Sequence, residues 1–356
     1  MKKGPNIYFA FLILIVSVIV FMSSLFSYEL SKVSNDSTLK EVVIEKGSIS
    51  SIANTLKENH LIRSVFAFKV YVYISGNTNL KAAAYELSED MGTKKIVEIL
   101  RSNAGSNTNT IKLTFNEGIN MRDVATIIEN NTDNTKDDVY ELISDREYLE
   151  GLIDKYWFLD NVILNSKIYY SLEGYLYPDT YLFASKSVSV EEIFETMLDE
   201  MDKKLSSYQS EIEKSDLSIH QLITLASMVE LEGSTLEDRK GIAGVFYNRL
   251  EEGMTLGSDV TTYYGAKVDM AERDLYASEV SACNDYNTRC ATFKGLPVSP
   301  ICNPSIEAIK AAIDPEESNY YYFVADVNKK VYFSKSASEH NQTIYKLKAN
   351  DLWYEY

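Results

Sequence analysis

Leu217-Ser-Ile-His-Gln-Leu-Ile-Thr-Leu-Ala-Ser-Met-Val-Glu-Leu-Glu-Gly233 is the stretch on which the reading of this chain turns. Ser218 can cap a helix, Gln221 can reach back to complete a capping box, and Leu217 can staple to Leu222. Leu222, Leu225, Ala226 and Val229 then share a core-facing side, and Gly233 suits the position just past the C-terminus. Glu230 and Glu232 fall in the last turn. The negative end of the helix dipole disfavours an ionised carboxylate there, and partial burial acts in the same direction. A carboxyl so placed can stay protonated near neutral pH, the condition for general-acid chemistry on a glycosidic oxygen. Periodicity leaves the choice between them open: Glu232 lies close to Leu225 on one flank of the apolar arc, Glu230 between Ile219 and Ile223 on the other. By itself, a glutamate at a helix end is usually a solvated surface residue.

Downstream, Thr235 starts a second helix bearing Ile242, Val245, Phe246 and Leu250, with Asn248 and Arg249 near its end and Gly253 as its stop. Met254-Thr-Leu-Gly-Ser-Asp-Val-Thr-Thr-Tyr-Tyr-Gly265 follows. Upstream, residues 134–214 read as largely helical and acidic, interrupted by Ser171-Leu-Glu-Gly-Tyr-Leu-Tyr-Pro-Asp-Thr-Tyr-Leu-Phe183, which Gly174 and Pro178 make a loop or short strands. Further back, Glu41–Gly47 and Ile111–Gly118 each read as a strand and a Gly turn leading into a helix, a weak internal echo. Between these units come a helix from Phe66, a strand and helix over Ala83–Asn103, and a linker at Gly105–Thr110.

The chain has 356 residues, 45% apolar and 24% charged, enough for a sizeable core and two or three domains. Its 35 basic and 52 acidic residues leave a net charge of −17, which argues against a nucleic-acid partner. Three cysteines and three histidines leave little for a metal or haem site, so no metal or cofactor is expected. The 26 tyrosines offer flat apolar faces with hydroxyls, which suit sugar rings and equally suit a sheet surface.

Lys2 and Lys3 precede Ile7–Phe26, an uncharged run of the length that spans a hydrocarbon core, about 20 residues at ~1.5 Å each. The expectation is an uncleaved single-pass anchor in the cell membrane, with a cytoplasmic N-terminus and the rest extracellular. Cys283, Cys290 and Cys302 cluster in one stretch; Cys283 to Cys290 is the shorter closure, with three free thiols the alternative.

Leu225-Ala-Ser-Met-Val-Glu-Leu-Glu232, Ile242-Ala-Gly-Val-Phe-Tyr-Asn-Arg-Leu250, Ser258-Asp259, Tyr286-Asn-Thr288, Gly295-Leu-Pro297, Pro300-Ile301, Asn303-Pro304, Tyr322-Phe-Val-Ala325, Glu339-His-Asn341 and Ser171–Tyr181 occur in that chain-wide arrangement. Their order and spacing resemble the endolytic murein transglycosylase family, the YceG-like or MltG-type proteins, from about residue 40 onward. The resemblance implies Glu232 as catalytic acid, with Glu230 as fallback. It implies that Asn248, Ser258, Asp259, Tyr286, Asn287 and Thr288 line a glycan cleft, with Glu173 and His340 nearby or in support. Bland roles stand beside these: Asn248 as a cap, Asp259 in an Asx turn, His340 as a structural side chain. The chain departs from the family pattern at Val331, where a histidine is usual, at Gly257 and Val260, and in a longer loop at Arg289 and Cys290.

The implied reaction is cleavage of the MurNAc-GlcNAc bond of nascent peptidoglycan strands by one carboxyl, leaving 1,6-anhydro-MurNAc ends and limiting strand length, near membrane-bound cell-wall synthases. The rivals are a muramidase-type hydrolase using Asp259 or Glu230 as second carboxylate, and a non-catalytic glycan-binding scaffold. A Ser or Cys peptidase is disfavoured, since His60 and His220 sit on ordinary helix patterns without a nucleophile motif. The expected fold is α+β: a cytoplasmic tail at 1–6, a transmembrane helix at 7–27, a stalk at 28–39, a LysM-like module at 40–105, a second αβ unit and helical connector at 106–214, and a mixed catalytic domain at 215–356.

Overall fold

The computed structural model describes residues 7–102, 111–183 and 185–353, apart from the side chains of 7–10, 12–15 and 19. The expected tail at 1–6 and the linker at Gly105–Thr110 lie outside the described residues. The fold is α+β, many helices with three two-stranded sheets among the described residues.

One compact unit takes in Met1–Leu113 and Tyr181–Val188. In it, helix α1 (Ile7–Glu29) is followed by strand β1 (Lys40–Ile44), helices α2 (Ile49–Glu58) and α3 (Val65–Ile74), strand β2 (Ala83–Leu87), helix α4 (Gly92–Ser102) and strand β3 (Ile111–Thr114). β1 and β2 are antiparallel, Lys40 opposite Leu87 and Ile44 opposite Ala83. Ser48 and Ser64 cap α2 and α3 by accepting backbone N–H bonds from Ser51 and Ala67. The helical spacing of Ile52, Ala53 and Leu56 on α2 and of Ile96, Val97 and Leu100 on α4 puts both helices on one core with Ile44, Phe68, Val72 and Tyr85.

Two expectations are corrected here. No helix among the described residues is long and apolar enough to cross a membrane. α1 forms where the span was expected, but over the described residues it does not meet the length of apolar helix that a span requires. The single-pass anchor, the cell-membrane location and the division into cytoplasmic and extracellular parts fall with it. We also find no LysM module among the described residues. The third helix, α4, completes the core under β1 and β2, and the compact unit takes in 111–113 and 181–188 as well.

The second unit takes in Thr114–Thr180 and Ser189–Tyr356. Strand β4 (Thr180–Phe183) pairs with β3 and, from Tyr181 on, belongs with it to the first unit; the elements of the second are α5 (Met121–Asn131), α6 (Lys136–Leu142), α7 (Arg146–Lys155), α8 (Val190–Leu205), α9 (Gln209–Ile212), α10 (Ile219–Glu232), α11 (Leu236–Glu251), α12 (Asp259–Ala266), α13 (Ala277–Ser281), α14 (Ile306–Ile313), the pair β5 (Tyr322–Ala325) and β6 (Val331–Ser334), and α15 (Ala337–Ala349). The capping box of α10 forms as expected: the Ser218 N–H donates to Gln221 Oε1 at 2.9 Å, and the Gln221 N–H to Ser218 Oγ at 3.3 Å. The helix is not simply amphipathic. Every residue from Leu222 to Val229 is buried, because α11, α12 and α14 all pack on it. Its polar members answer this by bonding back to the helix, Thr224 to the His220 carbonyl and Ser227 to the Thr224 carbonyl, both at 2.7 Å.

Gly233 stands just past the end of α10 as expected, with an extended φ of −113° in place of a left-handed one. It is glycine because a Cβ there would lie 2.7 Å from Arg239 Cγ. Cys283 and Cys290 are joined in a disulfide, while Cys302 is buried and free. In α11 a Cβ on Gly244 would sit 2.3 Å from the Glu316 carbonyl oxygen, whereas Gly151, exposed within α7, has nothing within 4 Å. Gly244→Ala should therefore lose about 1–3 kcal/mol of stability and Gly151→Ala should gain about 0.5–1 kcal/mol, as read by urea unfolding of the two variants.

Candidate active site

α10 delivers two glutamates to one helix end, and the tertiary structure gives them opposite surroundings. Glu230 is enclosed by one guanidinium and the donors of Ser305. Arg239 Nη2 donates to its Oε1 at 2.6 Å, the Ser305 N–H to Oε2 at 2.9 Å, and the Ser305 hydroxyl to the same oxygen. Arg239 also donates to the Gly233 carbonyl and to Ser305 Oγ, both at 3.1 Å, so one guanidinium seals the end of α10 and ties it to α14. With side chains only 6% and 11% exposed, Glu230 and Arg239 form a buried, fully bonded pair that holds structure.

Glu232 has no ion-pair partner among the described residues. Its bond is to the Ser258 hydroxyl, which donates to Oε1 at 2.7 Å. The residue is half-buried, and burial of the carboxyl pushes its pKa up from the ordinary carboxylate range, while the Ser258 bond pulls it part of the way back. Burial favours the protonated acid, and the donated hydroxyl favours the carboxylate. A group balanced between the two can give up a proton and take one back.

Ser258 is diverted to this task. It stands at the N-cap of α12 yet makes no side-chain capping bond, whereas Ser48, Ser64, Ser189, Ser218, Ser305 and Ser336 all cap their helices. Its hydroxyl points across to α10, and the cap, ordinarily worth about 0.5–2 kcal/mol, is given up here.

The other expected site residues fall into distinct places. Asn287 and Thr288 are wholly buried beneath Ser258, with Thr288 Oγ1 accepting the Ser258 N–H at 3.0 Å and Asn287 Oδ1 accepting the Thr262 hydroxyl at 2.8 Å. Tyr286 is buried too, its ring against Tyr169 and Tyr264 and its hydroxyl bonded to Ser299 and to the Tyr169 N–H. Asp259 is exposed and paired with Arg289. Asn248 donates to the carbonyls of Ser318 and Tyr320 at 3.0 and 2.8 Å, anchoring the approach to β5. His340 stacks on Tyr322, which also carries the Arg249 guanidinium, and its buried Nδ1 has no hydrogen bond among the described residues. Glu173 is wholly buried. Its Oε2 accepts from the Met121 N–H at 3.0 Å and the Tyr264 hydroxyl at 2.9 Å, while Oε1 has no partner among the described residues.

Sequence reading missed Arg239, Ser305, Thr261 and Thr262. Arg239 follows Glu230 by nine residues across a helix break and Ser305 by 75, so no local spacing announces either contact. Among the described residues there is no group of histidine, cysteine and carboxylate side chains that could hold a metal ion.

Arg239→Met should strand the Glu230 carboxylate and cost about 3–5 kcal/mol in denaturant unfolding. Burial raises the Glu173 carboxyl to about 8 from an ordinary 4.5. The folded chain therefore binds more protons than the unfolded one between those values, and this residue's contribution to stability is greatest at the acid end and is lost as pH rises towards about 8. Melting temperature should fall over that window, and Glu173→Gln should flatten the fall.

The model of the YceG-like family matches residues 42–346. The endolytic murein transglycosylase of Bacillus subtilis is 35% identical over 318 residues, covering 88% of this chain and 86% of that protein. That of Streptococcus pneumoniae strain D39 is 31% identical over 313 residues, covering 84% of this chain and 56% of its own length. A crystal structure of a YceG-like protein from Listeria monocytogenes superposes with a TM-score of 0.61 at 35% identity, covering 86% of this chain and 99% of that one. The relatives' names state neither a membrane anchor nor a product end. The expected anchored enzyme is overturned by the lack of a spanning helix among the described residues, and the expected 1,6-anhydro-MurNAc ends find no support in the names. With the family model matching most of its length and relatives at this identity, the chain belongs to the YceG-like family of endolytic murein transglycosylases.

Proposed function

We propose that this chain is a lytic transglycosylase acting on peptidoglycan glycan strands, with Glu232 as its one general acid and base. Membership of the family carries a glycan-acting enzymatic activity at family level, and the lyase chemistry is our reading of the site. The observation that carries it is the contrast at the end of α10: Glu230 is neutralised by Arg239, while Glu232 meets only the Ser258 hydroxyl among the described residues.

In this reading Glu232 gives its proton to the bridging oxygen as the bond from that oxygen to the anomeric carbon breaks, and positive charge develops on the sugar. The resulting carboxylate, stabilised by the Ser258 bond, takes a proton from a hydroxyl of the same substrate as that hydroxyl closes on the cationic carbon. Water is neither consumed nor activated. The state of the neighbouring carboxyls supports this over hydrolysis, which normally needs a second carboxylate. Glu230 is tied to Arg239 and Ser305, Asp259 to Arg289, and Glu173 is buried against Tyr264. Asp259 and Arg289 offer exposed polar groups to a glycan, whereas Tyr286, Asn287, Thr288 and Glu173 are buried and would act by holding the site.

Purified glycan strands incubated with the chain in heavy-oxygen water test this by mass spectrometry of the new ends. The expected ends contain no solvent oxygen, and Glu232→Gln should lower their rate of appearance by about 10²–10⁴-fold. Solvent oxygen in the ends would make the chain a hydrolase, and intact strands would make it a binding protein.

A further inference from the structure

The loop between the disulfide partners Cys283 and Cys290 carries Asn287, Thr288 and Arg289, and each is bonded to the segment that presents Ser258 to Glu232. Arg289 pairs with Asp259. Asn287 accepts the Thr262 hydroxyl at 2.8 Å and donates to the carbonyls of Val280 and Ala282 at 3.1 and 2.6 Å. The Thr288 carbonyl accepts the Gly257 N–H at 3.0 Å.

Thr261 and Thr288 close a ring of hydrogen bonds with Ser258. The Ser258 N–H donates to Thr288 Oγ1 at 3.0 Å, and the Thr261 hydroxyl donates to the Ser258 carbonyl at 2.8 Å. The two threonine hydroxyls lie 2.8 Å apart, where either can donate to the other, and the Thr288 hydroxyl also reaches the Ser258 carbonyl at 3.4 Å. Both threonines are wholly buried, so the ring is shielded from water and its bonds polarise one another. It grips Ser258 by both its N–H and its carbonyl, and the side chain, free of capping duty, is left aimed at Glu232.

Resting on the reading of Glu232 as the acid, we propose that Thr288 is a positioning residue for the reaction, holding the Ser258 hydroxyl on the Glu232 carboxyl, and that the Cys283–Cys290 disulfide holds Thr288 in place. The disulfide lies in the loop where this chain departs from its family's pattern. Cys283 is exposed and Cys290 buried. An external dithiol would attack the Cys283 sulfur and expel Cys290 as a thiolate, which takes up a proton. Its second thiol would then displace Cys283, leaving two cysteine thiols and one oxidised, cyclic dithiol.

The test uses the full chain and its Thr288→Val, Thr288→Ser, Ser258→Ala and Thr288→Val/Ser258→Ala variants. Two readouts are taken: kcat and KM for strand cleavage, and the titration of the Glu232 carboxyl followed by carbon NMR. Glu230 is paired with Arg239 and Asp259 with Arg289, Glu117 and Glu307 face the Glu230 side of the helix end, and at Glu232 burial raises the carboxyl while the Ser258 bond lowers it. Thr288→Val should lower kcat by about 10–100-fold with KM little changed. Thr288→Ser, which keeps the hydroxyl, should restore most of the rate. The double variant should be no slower than the slower single one, and Glu232 should titrate higher in Thr288→Val and Ser258→Ala alike. Dithiothreitol should slow the unmodified chain and leave Thr288→Val unchanged. A Thr288→Val variant that only melts earlier, with kcat and the Glu232 titration unmoved, would overturn the proposal, as would additive rate losses in the double variant. Should Thr288→Val not fold, Thr288→Ser and the dithiol arm still decide it: an unchanged rate and titration after reduction counts against it. Cleavage undiminished in Glu232→Gln would sink the general-acid reading, while the titration would still report whether Thr288 acts on Glu232 through Ser258.

Discussion

A carboxyl at the end of a buried helix, bonded among the described residues to one hydroxyl and to no cation, is the constraint around which the second unit is arranged. Burial of Leu222 to Val229 on all sides fixes α10 in place, and Arg239 closes its end at Gly233. The end of the helix sets a carboxyl against the negative pole of the helix dipole, and burial withholds the water that would stabilise its charge. Placed there without compensation, such a group would stay protonated and could not act as a base. The Ser258 hydroxyl supplies the counterweight. Much of the surrounding polar structure, including Thr261, Thr262, Asn287 and Thr288, serves to hold that hydroxyl.

Glu230 shows what a glutamate two residues away becomes when charge is compensated. Arg239 and Ser305 satisfy both of its oxygens, and the same guanidinium caps the Gly233 carbonyl. The pair joins α10, α11 and α14 into one body and keeps the Glu232 end rigid. The close approach of Arg239 also explains Gly233, whose lack of a side chain matters more than its freedom of φ.

The longer loop at Arg289 and Cys290, a departure from the family's motif, turns out to be covalently closed and joined by Arg289 to Asp259. Buried hydroxyls are costly unless each finds a partner. The ring through Ser258, Thr261 and Thr288 satisfies them, and in doing so converts the loop into a support for the site. Glu173 follows the same rule less completely: one oxygen is bonded to Met121 and Tyr264, and the other has no partner among the described residues.

Local chemistry was enough to read α10 and α11 from the chain. The Ser218–Gln221 box, the Thr235 cap and the apolar spacing act over a few residues, so they are legible in order. The motifs that resemble the family are likewise linear, and they single out Glu232. The run at Ile7–Phe26 shows the limit of such reading: it yields a helix, but the described part of that helix falls short of a membrane span. What periodicity left open, whether Glu230 or Glu232 stands ready as an acid, depends on Arg239, Ser305 and Ser258, which reach the helix end from other elements. Sequence by itself determined the elements and the candidate pair of carboxyls. Only the tertiary structure decided which of the two is neutralised and which is left with a hydroxyl, because charge compensation depends on distances between residues that the chain order keeps far apart.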